Sequence, residues 1–212
     1  MTAARKPAAR KRPRTQAERS ALSDQRIAKA AIGLIAKHGY SKTSLAQIGA
    51  KAGYTAGLVS HRFGSKQQLL RVLVGRISGR FWADQLRPVV ETRRGLDAIC
   101  ASVDVYMQEL AVREEHIRAL YVLMGEALGP VAEVRPIFAD LDDGFRAAVQ
   151  EWLSQGIAAR EIRADVEVVA TAALVVASLR GAAMQWLMVP GCFDLESVRT
   201  TLKAMLCRSL AP

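Results

Sequence analysis

Between Gly53 and Lys66 the chain reads Gly-Tyr-Thr-Ala-Gly-Leu-Val-Ser-His-Arg-Phe-Gly-Ser-Lys. Thr55, Ala56 and Gly57 are small, and Ser60, His61 and Arg62 carry hydrogen-bonding groups. Val59 and Phe63 lie four apart, so on a helix they share an inward face and leave the polar set outside. Small residues at a helix start let the backbone approach base edges and a thymine methyl group. Hydroxyl, imidazole and guanidinium groups bond bases or phosphates. The chemistry these residues offer is recognition of duplex DNA.

Such residues need a frame, and the flanking pattern predicts one. Ile27, Ala31, Leu34 and Ile35 form the inward face of a first helix, capped by Ser20 or Ser23 and closed by Gly39 in the αL conformation. Thr43 and Ser44 open a second helix with Leu45 and Ile48 inward, ending near Ala52. Gly53-Tyr54 then makes a tight turn, and a third helix runs from about Ala56 to Arg62 with Thr55 as its cap. Two short helices joined this way outline a helix-turn-helix, whose helix N-termini also offer free N–H groups to phosphate. After Gly64-Ser65 a long helix spans Lys66 to about Gln85, with Leu69, Leu70, Leu73, Val74 and Ile77 inward, and Pro88 ends it. Beyond Pro88 the pattern is helical, at about 93–111, 114–128, 132–158, 165–188 and 194–209, with no strand alternation.

Charge divides the 212 residues unevenly. Residues 1–76 hold 16 Lys and Arg against only Glu18 and Asp24, whereas the remainder holds 14 basic and 18 acidic residues. A basic third suits a polyanion, either nucleic acid or an anionic membrane surface. An organised helix-turn-helix favours nucleic acid, since an electrostatic membrane anchor needs no such motif. Residues 1–19 place Arg5, Lys6, Arg10, Lys11, Arg12, Arg14 and Arg19 among Ala and Pro, which predicts a disordered basic arm that attracts phosphates. Lys37 and Lys42 add charge nearby. Cys100, Cys192 and Cys207 are far apart in sequence, with no Cys/His cluster, so no metal site and no disulfide framework is expected. No apolar stretch follows the basic start, so no signal peptide is expected. The uncharged apolar run Val168–Leu179 is shorter than a membrane span and predicts a core helix. No Ser/His/Asp arrangement or phosphate loop stands out. Glu114-Glu115 and Asp140-x-Asp142-Asp143 read as helix-terminal charges and solvated faces, so no enzyme and no cofactor is expected.

The stretch Ile27-x-x-Ala30-Ala31-x-x-Leu34-x-x-x-x-Gly39-Tyr40-x-x-Thr43-Ser44-x-x-x-Ile48-x-x-x-Ala52-Gly53-Tyr54-x-x-Gly57-x-x-x-x-x-Phe63-x-Ser65-Lys66-x-x-Leu69-Leu70 resembles the DNA-binding domain of the TetR family of bacterial repressors. The resemblance implies an all-α fold, with a three-helix helix-turn-helix domain followed by a helical ligand-binding and dimerisation domain. It implies a cytoplasmic homodimer that binds operator DNA and is released by a small effector. It places Thr43 and Ser44 beside the DNA backbone. Thr55, Ala56, Gly57, Ser60, His61 and Arg62 fall on the recognition helix, and Lys66 falls on a phosphate. Ser60 and Arg62 depart from the family pattern, where Tyr and His or Tyr are usual. The corresponding domain division is an arm at 1–19, a DNA-binding domain at 20–65 and an effector and dimerisation domain at 66–212.

Large apolar side chains recur at helical spacing in the C-terminal part. Trp82, Tyr106, Met124, Phe145 and Trp152 are the expected cavity residues, with Leu123, Phe138, Met184 and Trp186 in the same class. They predict a mostly apolar or aromatic effector. The helix at 165–188 is apolar nearly all round, which predicts a subunit interface with Val176, Leu179, Ala183 and Leu187 as its stripe. An effector-independent DNA-binding protein and a basic protein at membrane surfaces are the alternatives.

Overall fold

The computed structural model describes residues 15–129 and 131–212, and among them no residue is in a strand. The helices are α1 (Gln16–His38), α2 (Leu45–Ala52), α3 (Ala56–Phe63), α4 (Lys66–Arg80), α5 (Arg87–Val90), α6 (Gly95–Val112), α7 (Glu114–Ala127), α8 (Arg135–Ala158), α9 (Val168–Met188) and α10 (Leu195–Leu210). The all-α reading therefore holds. The basic segment up to Arg14 lies outside the described residues.

The starts of the first four helices follow side-chain caps. Ser44 with Gln47, and Ser65 with Gln68, form reciprocal capping boxes on α2 and α4, and Thr55 accepts from the Leu58 N–H on α3. α1 differs from expectation. It starts at Gln16 because Thr15 and Glu18 make a capping box, so Ser20 and Ser23 lie inside the helix. Ser23 instead bonds back to the Ser20 carbonyl. Gly39 closes α1 at φ 82°, ψ 165°, which is positive φ but not αL.

Pro88 does not end the long helix. Residues Phe81–Leu86 form a π-helical turn, in which the Arg87 N–H reaches the Trp82 carbonyl five residues back. Pro88 follows at the start of α5, where its missing N–H costs little. The wider turn gives the ring room that a regular α-helix denies it.

Two apolar cores result. One joins Ile27, Ala31, Ile48, Val59, Leu70 and Leu73 to Leu120 and Leu123 of α7 and Phe138 of α8. The helix-turn-helix thus shares its core with helices beyond residue 65. The other core joins α6, α8, α9 and α10 around Leu110, Phe145, Leu153, Val176, Leu179 and Leu206.

The interface stripe expected on α9 faces the wrong way for that role. Val176, Leu179, Ala183 and Leu187 are buried in the protomer's own core. The exposed face is the complementary one: Ala170, Ala173, Leu174, Ala177, Met184 and Met188. A helix apolar all round has two faces that periodicity cannot tell apart. Among the described residues α9 alone is long and apolar enough to cross a membrane. It carries Arg180, whose Nη2 lies 2.6 Å from Asp142 Oδ1 of α8.

Candidate DNA-reading surface and effector cavity

α2 and α3 meet through a close backbone approach. A Cβ on Gly49 would lie 2.8 Å from the Tyr54 carbonyl oxygen, so only glycine fits there. Gly53 takes φ 80°, ψ 30°, and the Tyr54 N–H bonds to the Gly49 carbonyl at 2.8 Å. This turn fixes α3 with Val59 fully buried and Thr55, Ala56, Gly57, Ser60 and His61 exposed together. A Cβ on Gly57 would meet nothing nearer than Thr55 Oγ1 at 3.9 Å. The start of α3 is therefore a smooth, open surface.

Other residues expected on that surface are engaged elsewhere. Thr43 is buried, and its hydroxyl donates to the Gly39 carbonyl at 2.7 Å. Ser44 stays exposed beside it as the α2 cap. Lys66 places Nζ 4.1 Å from the centre of the Tyr40 ring, and partial burial lowers its pKa from the ordinary lysine value against the pull of Glu126. Arg62 turns back toward α1, where Nη1 lies 3.4 Å from Asp24 Oδ1 and bonds Ser20 Oγ. Arg62 is therefore a brace between α3 and α1. Arg62→Ala should lower thermal stability by about 1 kcal/mol, as loss of a partly buried ion pair does. It should leave base preference in a competition assay unchanged, whereas relaxed preference at one base pair would make Arg62 a reader.

A second site lies between α4, α6, α7 and α8. Phe81, Trp82, Tyr106 and Phe145 surround a chamber of about 40 Å³, with Tyr121 and Glu109 also in its wall. Trp82 meets Phe145 edge-on at 5.5 Å, and Tyr106 stacks on Phe145 at 6.2 Å. Polar groups are few and most are held, although the Nε of Arg180 in the wall is buried without a hydrogen-bond partner among the described residues. The Tyr106 and Tyr121 hydroxyls are 2.7 Å apart, and Tyr121 donates to the Arg180 carbonyl at 3.2 Å. Burial pushes the Tyr121 phenol above its usual range, so it stays a donor. Glu109 is paired with Arg113 at 2.9 Å.

Of the residues expected to line a cavity, Trp82, Tyr106 and Phe145 do so. Met124 and Trp152 do not. Met124 sits one turn beyond Leu120 on α7 and packs into the helix-turn-helix core, while Trp152 sits two turns beyond Phe145 in the C-terminal core. Both continue the right stripe, but one turn carries Met124 about 6 Å and two turns carry Trp152 about 10 Å along the axis.

Besides the shared apolar core, a polar contact links the two sites. Glu126, at the C-terminal end of α7, accepts from the N–H groups of Tyr40 and Ser41, each at 3.0 Å, and from the Ser41 hydroxyl at 2.9 Å. A Cβ on Gly39 would lie 2.4 Å from Glu126 Oε1, so this clasp and the positive φ of Gly39 belong together.

Family models match both parts of the chain. Residues 27–73 match the bacterial regulatory proteins of the tetR family, and residues 95–211 match the C-terminal domain of BetI-type transcriptional repressors. The chain belongs to the TetR family. It is a transcriptional regulator with an N-terminal DNA-binding helix-turn-helix and a C-terminal ligand-binding domain.

Solved structures share the fold of this TetR-family chain. A TetR transcriptional regulator from Chloroflexus aurantiacus superposes with a TM-score of 0.78 at 21% identity, covering 91% of this chain and 98% of that one. NalD, the secondary repressor of the MexAB-OprM multidrug efflux pump in Pseudomonas aeruginosa, gives 0.76 at 22%, covering 92% and 98%. FadR from Bacillus subtilis, solved in complex with stearoyl-CoA, gives 0.76 at 19%, covering 88% and 98%. No curated protein matches the chain.

Sequence reasoning missed several residues of this TetR-family regulator. Gly49 was not singled out, although a glycine four before Gly53 at a helix-turn-helix corner is a legible signal of close approach. Glu126, Glu109 and Arg180 were not singled out either. Their partners lie 86, 4 and 38 residues away, and for the distant pairs only folding brings them together.

Proposed function

We propose that this regulator is a homodimeric repressor, acting on DNA in the cytoplasm, that binds a near-palindromic operator through α3 and leaves it when an apolar or aromatic effector occupies the chamber. Thr55, Ala56, Gly57, Ser60 and His61 face the major groove, and Ser44 faces a phosphate. The second protomer covers the exposed α9 stripe of Ala173, Leu174, Ala177 and Met184, together with Met205 of α10, which would otherwise leave large apolar side chains in water.

The observation that carries the coupling is the double duty of α7. It supplies Ile117, Leu120 and Tyr121 to the chamber wall and Glu126 to the Tyr40–Ser41 turn ahead of α2. At about 40 Å³ the chamber is far below the roughly 300–1,000 Å³ of ligand pockets. An effector must therefore displace its walls, and the π-helical turn carrying Phe81 and Trp82 is the wall built to yield. The stearoyl-CoA held by FadR makes long-chain acyl thioesters one class to try. Drug-like aromatic compounds are the other.

The test is a thermal-shift screen of both classes, followed by operator titration. A compound that stabilises the protein should weaken operator binding by about 5–150-fold. Glu126→Ala should keep compound binding and lose most of that weakening. A stabilising compound that binds the free and operator-bound protein equally would overturn the coupling.

A further inference from the structure

Cys100 and Cys207 are 107 residues apart in sequence, yet their sulfur atoms lie 3.9 Å apart. Cys100 is half-buried on α6 and Cys207 exposed on α10. One turn further along, Asp104 of α6 accepts from Lys203 Nζ of α10 at 2.7 and 2.9 Å and from Arg199. The residue order rises on α6 as it falls on α10, so the helices run antiparallel. The Asp104 ion pairs fix their register with the two thiols opposed. Cys192 is exposed, with the Gln185 carbonyl oxygen 3.8 Å from its sulfur.

We propose that Cys100 and Cys207 form an oxidisable dithiol, joined reversibly as an intrachain disulfide when the cell meets a hydroperoxide. The exposed Cys207 is the sulfur an oxidant reaches. Its thiolate attacks the distal peroxide oxygen, and the O–O bond breaks. Cys207 becomes a sulfenic acid and the peroxide leaves as an alkoxide that takes a proton to become an alcohol. The Cys100 sulfur then attacks the Cys207 sulfur. The S–S bond forms, the S–O bond breaks, and hydroxide leaves with the Cys100 proton as water. Each disulfide therefore consumes one hydroperoxide and two thiols.

Order matters in this scheme. Burial, reinforced by the neighbouring Cys207, pushes the Cys100 thiol up to about 12, so Cys100 is not the first to react. Oxidation of Cys207 removes the thiolate beside it, which lowers the barrier to Cys100 acting as the resolving thiol. Bonding requires the sulfurs to close from 3.9 Å to the roughly 2.05 Å of a disulfide, a movement within reach of side-chain rotation and slight helix approach. Cys207 points about 160° away from exposed Met205 around α10, so a subunit seated over Met205 leaves the thiol pair at the edge. In a reducing cytosol the thiols are the resting state, and the bond is transient. Once formed, it ties α10 to the helix that carries Tyr106 and Glu109 of the chamber.

Hydrogen peroxide on the full-length protein tests this. Titratable thiols should fall from three to one, with Cys192 the survivor. Mass spectrometry should find the Cys100 and Cys207 peptides joined within one chain, and dithiothreitol should restore all three thiols. Cys207→Ser should keep Cys100 reduced, while Cys100→Ala should let dimedone trap a sulfenic acid on Cys207. Three intact thiols, links through Cys192, or over-oxidised Cys207 with Cys100 still free in the unmutated protein would overturn the proposal.

Discussion

Gly57→Glu is expected to abolish specific DNA binding while the protein stays folded. The surroundings make this substitution unusually clean. A side chain at 57 enters open space, with only Thr55 Oγ1 within 4 Å of its Cβ. Position 57 lies in the first turn of α3, where glycine is a poor helix former and a carboxylate interacts favourably with the helix dipole. Folded-state stability should therefore hold or rise by up to about 1 kcal/mol. On DNA the same carboxylate would meet the groove and its phosphates. Operator affinity should fall to the non-specific level, a loss of about 10³-fold or more. Paired thermal unfolding and fluorescence anisotropy check both halves. Unchanged operator affinity in a folded Gly57→Glu protein would remove α3 as the reader.

A second large effect separates the two faces of α9. Ala183 has no exposed surface and sits in the protomer core, whereas Leu174 is 67% exposed. Ala183→Glu puts an unpaired charge and extra volume into that core, so it should cost about 3–5 kcal/mol of protomer stability. That is a large part of the roughly 5–15 kcal/mol a domain has. Leu174→Glu should leave the protomer fold intact and fail at assembly instead. Sedimentation at micromolar concentration should show folded monomers, and operator binding should be lost with the dimer. Should Leu174→Glu remain dimeric while Ala183→Glu gives folded monomers, the assignment of the two faces is reversed.

The helix-turn-helix was legible because its signals are local. Ser44, Thr55 and Ser65 cap helices within three residues of themselves, and Val59 marks the inward side of α3. The five residues proposed as readers follow from that register alone, and the same register leaves Arg62 ambiguous. Its guanidinium is drawn to Asp24 and Ser20, 38 and 42 residues earlier in the chain, and no periodicity reports that. Thr43 was misplaced for a related reason, since its hydroxyl closes on Gly39 four residues back and not on solvent. The chamber was half legible. Aromatic spacing finds Trp82, Tyr106 and Phe145 on inward stripes but not where along each helix the gap opens. The π-helical turn has a visible cause in the sequence, Pro88, which periodicity alone marks as a helix end. The ring can instead be accommodated by widening the turn before it.

In the proposed mechanism two copies of α3 read DNA together and the chamber controls them through α7. Hydroxyl-radical footprinting of the full-length protein on the DNA flanking its own gene tests the first half most directly. Two protomers per site are expected, protecting two half-sites about 34–36 Å apart on one face of the duplex. Protection should vanish with Gly57→Glu. A uniform, salt-sensitive coating with no preferred sequence would contradict it, as would protection by a single protomer.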